Sequence, residues 1–323
     1  MDGYVVSVDG SSVPADRAAA VQALNQGSLL WLDLHGVDDD TTAMLRDVFG
    51  FHPVAMDDVG EFGQRPKAES FGEVVYIVSY AATSVLGSLT EVHAFYSERF
   101  LVTVRKKGCD VLDQVRAQLA VTGGEGPSGA RPVRLIMLHH ILDSMIDSFF
   151  PPLSDLDDRI DGLLERIFVS PSKDELEDLL RMQRWLVGVR KLVSPQRDVM
   201  AALLSGVVEL PGKTADSDPY LRDLYDHVIR ISDLIDSYRD LLSNGMDAYL
   251  SMVSNKLNQV MKQLTIIATV FLPLSFLTGF FGQNFSWLVV RMGGLGAFLI
   301  LGIGSEVLAV AGLYTLFRRR GWL

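Results

Sequence analysis

The chain has 323 residues and a formal net charge of −11. That length exceeds one ordinary domain, so more than one structural unit is expected. The acidic balance excludes a nucleic-acid partner, because phosphates demand a basic surface. Cys109 is the single cysteine, which excludes an intrachain disulfide and fits a reducing compartment.

The opening Met1-Asp2-Gly3-Tyr4 has neither a basic n-region nor a long apolar h-region, and is not read as a signal peptide. Residues 1–131 read as an α/β domain. Short β-branched or aromatic runs at Val5–Val8, Leu29–Leu34, Val74–Tyr80, Val92–Tyr96 and Phe100–Val104 predict strands. Asp38–Phe49 reads as a helix, with Asp38–Asp40 supplying an N-cap and favourable negative charge. The glycine-rich residues 122–131 predict a loop or boundary.

Residues 132–217 read as a helical hairpin. Leu135–Phe168 is expected as one helix kinked at Pro151-Pro152, and Lys173–Leu204 as a second, interrupted near Pro195. Asp155, Asp157, Asp158, Asp161 and Glu165 precede their connection, and Asp174, Glu175, Glu177 and Asp178 follow it. Such a cluster fits a solvated hairpin or a surface that concentrates cations.

Residues 218–263 read as a stalk helix. It starts near Asp218 with Pro219 in the first turn, a favoured place for proline, and meets no breaker before Pro273. A run from 218 to 282 would reach about 95 Å, too long for a compact core. It is expected to continue into a membrane.

Residues 264–323 read as a transmembrane hairpin. Leu264–Phe281 holds 18 residues without a charge, and Leu295–Phe317 holds 23 with one, Glu306. Both lengths span a bilayer. Lys256 and Lys262 precede the first span, and Arg318, Arg319 and Arg320 follow the second. Positive residues at both ends place both termini in the cytoplasm. Glu306, near the centre of the second span, is expected to be shielded from lipid.

A polar stripe runs along the stalk at steps of three and four: Asp226, Arg230, Asp233, Ser237, Asp240, Asn244, Asp247, Ser251, Ser254 and Asn258. It continues through Met261, Thr265, Ala268, Leu272, Ser275, Gly279 and Gly282. Leu224, Val228, Ile231, Ile235, Tyr238, Leu242, Tyr249 and Met252 occupy the opposite face, as in an amphipathic helix. Two spans cannot enclose a polar path alone. Several chains around an axis would turn this stripe inward.

Over Asp223–Asn284 the chain resembles the CorA family of magnesium and cobalt transporters. The resemblance is carried by Tyr225-Asp226-His227, Tyr249-Leu250-Ser251, Ser254-Asn255-Lys256, Asn258, Met261-Lys262, Leu264-Thr265-Ile266, Leu272-Pro273-Leu274, Gly279 and Gly282-Gln283-Asn284-Phe285. A weaker match covers Phe51-His52-Pro53, Asp57-Asp58, Gln64-Arg65-Pro66-Lys67 and Val74–Tyr80. The resemblance implies an α+β membrane protein: a cytoplasmic α/β domain, a long stalk and two C-terminal spans, in a homopentamer within the cell membrane. It places Gly282, Gln283 and Asn284 at the outer mouth, where an asparagine ring contacts a hydrated cation. Met261 and Leu264 would form a hydrophobic constriction, with Asp247, Asn258, Leu272, Ser275 and Gly279 along the path. Asp223 would match an acidic residue that binds regulatory Mg2+ between protomers. The sequence departs from the family motif at Gln283, which stands where methionine is usual. The outer loop carries Arg291 in place of the usual acidic residues.

Mg2+ dehydrates reluctantly and prefers oxygen ligands, so an amide ring can hold its water shell without trapping it. Entry of a divalent cation into a negative interior gains about 4.6 kcal/mol per 100 mV, so no nucleotide is needed. No Walker-type glycine loop, HExxH spacing or nucleophile–base pair is visible, and an enzyme is not expected. His139 and His140, like the other four histidines, read as packing or surface residues. Passive transport of Mg2+, with Co2+ as a further cargo, is the leading expectation. Zn2+ transport, with or without proton coupling, and a non-conducting membrane-anchored cation sensor remain open.

Overall fold

The computed structural model describes residues 2–83, 86–106, 109–122, 133–283, 286, 290 and 294–322. They form two compact units, Met1–Met246 and Asp247–Leu323.

The first unit is built on a seven-stranded sheet in the order β2-β1-β3-β7-β6-β5-β4. Its strands are β1 Gly3–Ser7, β2 Ser12–Pro14, β3 Leu29–His35, β4 Lys67–Phe71, β5 Val74–Ala82, β6 Leu89–Tyr96 and β7 Leu101–Arg105. Neighbours pair antiparallel except β3 and β7, which run parallel. The five expected strands are present within a few residues of their expected ends. β2 and β4 were not expected. They form the two outer strands, with exposed or half-exposed residues throughout, so they lack the apolar alternation that reveals a strand.

Helices α1 Arg17–Asn25, α2 Asp39–Asp47, α3 Pro53–Glu61 and α4 Asp110–Thr122 complete the α/β part. Asp38 caps α2 as expected, accepting from the Thr41 amide at 2.7 Å. The boundary expected at 122–131 lies, beyond Thr122, outside the described residues.

The single kinked helix expected over Leu135–Phe168 is instead two, α5 Val133–Asp147 and α6 Phe150–Val169. Ser148 marks the break. Its hydroxyl donates to the Met145 carbonyl at 2.5 Å and accepts the Ala82 amide of β5 at 2.9 Å. Pro151 and Pro152 then fall in the first turn of α6, where a missing N–H costs nothing. Helix α7, Lys173–Ser205, passes through Pro195 without interruption. Buried Val193, Gln196 and Val199 hold both sides of the proline, and Gln196 Oε1 accepts the Tyr80 amide at 3.1 Å.

Helix α8 runs unbroken over the 64 residues Asp218–Phe281, through Pro273. Within the first unit it buries Leu221, Leu224, Val228, Ile231, Ile235, Tyr238 and Leu242, an apolar face at helical spacing.

The second unit contains the remainder of α8 and α9, Leu295–Arg319. Six residues of α9, Phe298–Ile303, adopt a π-helical turn, which no sequence signal announced. After this turn Glu306, Ala309, Leu313 and Phe317 lie along a covered face of α9, and Glu306 is half-buried there. Phe317 stacks on Trp322 with centroids 5.8 Å apart, and Lys262 Nζ donates to the Gly321 carbonyl at 3.3 Å. The apolar windows of α8 and α9 are both long enough to cross a membrane, and neither is buried within the chain.

Candidate functional site

Every residue of the polar stripe from Asp226 to Gly282 is exposed in the single chain. That includes Asp247, Asn258, Met261, Leu272, Ser275 and Gly279; Leu264, beside the stripe, is 58% exposed. Half-buried positions of the same helix, Lys262, Ile266, Thr269, Pro273, Leu277 and Phe281, lie on another face. The exposed hydroxyls of Thr265 and Thr278 bond back to Met261 and Leu274 carbonyls of their own helix, at 2.7 and 2.8 Å. Such bonding spares a polar group that has left water.

α8 ends at Phe281, and the Gly282 amide closes onto the Thr278 carbonyl at 2.9 Å. A Cβ at Gly282 would meet that same carbonyl oxygen at 2.9 Å, so the helix end has room only for glycine. At Gly279 a Cβ would meet nothing within 4 Å, so this chain alone gives no reason for its small size. Gln283 is exposed. Asn284 and Arg291 lie outside the described residues.

The acidic connection between α6 and α7 is partly self-neutralised. Arg166 approaches Glu175 and Asp178 at 3.7 Å each, and Lys173 approaches Glu177 at 3.4 Å. Burial and the neighbouring Asp161 and Asp158 push the Asp157 carboxyl above its ordinary range.

Asp223 is half-exposed on α8, and its surroundings were not anticipated. His139 Nε2 of α5 lies 3.8 Å from Asp223 Oδ2. His227, one turn further along α8, has Nδ1 at 2.9 Å from Asp147 Oδ1 and 3.3 Å from Asp143 Oδ1, both on α5. The ligand atoms of His139, Asp143 and Asp223 all lie within 4.8 Å of one another, as do those of Asp143, Asp147 and His227. Burial lowers the His139 pKa first, followed by the charge of His140. Burial raises that of Asp143, helped by Asp147. The spacing His139-Asp143-Asp147, with Asp223-His227, was the available signal: each step of four puts both side chains on one helix face.

A chain with two lipid-length helices, a folded α/β unit and a polar stripe entering an uncharged segment belongs to the class of integral membrane transporters. The family described as "CorA-like Mg2+ transporter protein" matches residues 26–319. The cobalt/magnesium transport protein CorA of Thermotoga maritima is 33% identical over 299 residues, covering 91% of this chain and 83% of that protein. The zinc transport protein ZntB of Yersinia enterocolitica is 26% identical, covering 87% of this chain and 84% of its own. The solved CorA magnesium transporter from Methanocaldococcus jannaschii has the same fold, with a TM-score of 0.83 at 22% identity, covering 100% of this chain and 99% of that one. The chain belongs to the CorA-like Mg2+ transporter family and is a divalent-cation transporter of that family.

Proposed function

We propose that this chain conducts Mg2+, with Co2+ as a further cargo, as a homopentamer whose α8 helices surround the path. The exposed stripe of α8 carries this reading: it is polar in the stalk, mostly small or mildly polar between residues 265 and 282, and exposed at every position among the described residues. Five copies around an axis would cover it, and close approach at Gly279 would use the space that a Cβ there leaves open. In this reading residues 1–131, 132–217 and the stalk 218–263 lie in the cytoplasm, residues 264–323 form the membrane hairpin, and both termini are inside. The membrane potential drives entry. Met261 and Leu264 form the constriction; Asp247, Asn258, Leu272 and Ser275 face the ion. Gly282, Gln283 and Asn284 form the outer mouth. Cytoplasmic Mg2+ at Asp223, between protomers, favours the closed state.

Zn2+ is the second reading, with or without protons. It is supported by the zinc transport protein among the relatives and by Glu306 on the covered face of α9. Uptake of Mg2+, Co2+ and Zn2+ into proteoliposomes, with and without a pH gradient, separates the two. Asn284→Ala should abolish most uptake while native mass spectrometry still finds five chains. Normal uptake of all three ions by Asn284→Ala would refute the proposed mouth, and a monomeric particle would refute the assembly.

A further inference from the structure

The chain has 40 carboxylate side chains against 29 lysines and arginines, so a place where cations gather without partners stands out. One lies in the first unit, in a cavity of about 410 Å³ between α7, α8 and the segment joining α3 to β4. Arg65 of that segment, Arg190 and Lys191 of α7 and Arg239 of α8 line it, with Asp198 as the one carboxylate among the described lining residues. Along α7, Arg190, Ser194 and Asp198 recur at steps of four, and Lys191 and Pro195 do the same beside them, so all five share one helix face. Asp236 is shared by Arg190 at 3.2 Å and Arg239 at 3.8 Å, and Arg239 also approaches Asp240 at 3.3 Å. Asp198 pairs with Arg197 at 3.7 Å, and among the described residues no carboxylate pairs with Arg65 or Lys191.

Arg65 stands on a fixed segment. Pro66 is buried and restricts the backbone of the residue before it. Buried Glu91 of β6 accepts the Gln64 amide at 2.9 Å and the Gly63 amide beside it, and Tyr80 of β5 donates to the Gln64 carbonyl at 2.6 Å. Phe62 takes a φ of +51°, a left-handed value that side chains rarely adopt and that recurs at ligand clamps. Pro195, on the α7 wall, has no N–H to donate to the Lys191 carbonyl, so the wall offers an acceptor as well as cations. Leu186, Val187 and Ile235 add apolar surface, Val187 being 43% exposed. A neighbouring cavity of about 420 Å³ shares Arg65, Pro195 and Asp198 with the first.

We propose that this cleft binds a nucleoside polyphosphate. Its volume falls in the range of about 300–1,000 Å³ that small-molecule sites occupy, more than one phosphate fills. Arg65 and Lys191 take the phosphates: a guanidinium matches phosphate oxygens in pairs, and an ammonium acts as a point charge. Asp198 and the Lys191 carbonyl accept from ribose hydroxyls or a base amine, donors that a bare polyphosphate lacks. Val187 and Pro195 give the base an apolar wall. The ligand joins α8 to α7 and to the α3–β4 segment, so a soluble phosphate compound acts on the helix that continues into the membrane. The site does not depend on which ion crosses.

The test uses the full-length protein in detergent, stripped of divalent cations so that none bridges ligand to protein. Isothermal titration with ATP should find a single site per chain, and inorganic triphosphate should bind less tightly. Arg65→Ala and Lys191→Ala each truncate an exposed side chain, which leaves folding nearly untouched, and should each weaken ATP binding at least about tenfold. Arg99→Ala, which removes an exposed arginine outside the cleft, should leave it unchanged. Asp198→Ala should weaken ATP yet tighten inorganic triphosphate, because it removes an acceptor and a repelling charge at once. Absence of ATP binding, undiminished binding in the Arg65→Ala/Lys191→Ala double variant, an equal loss in Arg99→Ala, or inorganic triphosphate binding as tightly as ATP would overturn the proposal.

Discussion

The two units hold the same apolar residue types in opposite surroundings. In Met1–Met246, Trp31, Leu32, Phe95 and Tyr96 are at most 1% exposed. In Asp247–Leu323, Leu272 is 73% exposed, Phe276 68% and Leu308 77%. Burial of one such side chain is worth about 1.5–3 kcal/mol, so a row of them cannot be left in water. The first unit serves as its own solvent. The second takes a bilayer for that role, and in the proposed assembly its polar stripe meets further copies of the chain. Polar groups divide the same way. Asp33 is fully buried and bonded to Thr103, His35 and Arg105, while Asp247 faces outward.

This contrast can be broken most strongly at Arg105. Arg105→Ala removes the guanidinium bonded to buried Asp33, leaving Arg116 at 3.8 Å as its nearest cation, and should destabilise the first unit by about 3–5 kcal/mol. Chemical denaturation of the solubilised protein would measure it. A loss below about 1 kcal/mol, the scale of a surface pair, would mean that the network is solvated after all.

Acid should act on the same place. Burial would raise the Asp33 pKa, but hydrogen bonds from His35, Arg105 and Thr103 and the Arg105 charge outweigh it, leaving the carboxyl below its ordinary value of 3.8. The stabilisation is therefore complete above that value and is lost as pH falls through the lower folded value. Asp33→Asn should flatten the acid limb of a stability–pH curve. An unchanged limb would assign acid lability to other carboxylates.

A smaller effect is expected at Ser172. It accepts the Asp174 amide at 3.2 Å, and Glu175 reaches back to the Ser172 amide at 3.0 Å, capping α7. Ser172→Ala should cost about 1 kcal/mol in the melting transition of the first unit. The smallest change should come from the other unit. Leu272→Ala should shift stability by no more than about 0.5 kcal/mol, because its own chain does not cover it. Its uptake rate should nonetheless change, and unaltered uptake would remove Leu272 from the path.

What could be read from sequence follows from periodicity. The spans, the buried face of α8 and strands such as β5 repeat at 3.6 or 2 residues, and local composition suffices for them. The outer strands β2 and β4 carry polar residues and leave no such trace. The continuity through Pro195 and the break at Ser148, ahead of the kink expected at Pro151-Pro152, were not foreseen because packing against β5, remote in sequence, decided whether each helix continued. The α5–α8 cluster escaped for a related reason. Its halves are separated by about 80 residues, and only the fold sets His227 against Asp143 and Asp147.

The π-helical turn at Phe298–Ile303 bears on how the gene can change. Such a turn accommodates one residue more than the α-helical path would. Deleting a single codon there would restore α-helical winding and leave the residues beyond it on the faces they hold, whereas a deletion in the regular helix just after the turn would rotate everything beyond it by about 100° about the axis. After that second deletion Glu306, Ala309 and Leu313 would leave the covered face together, and Val307 would take the place of Glu306. Substitutions along α9 alter one contact at a time, whereas a one-codon deletion outside the turn re-registers everything beyond it. Single-residue changes of length in α9 should therefore be tolerated best at this turn and least beyond it.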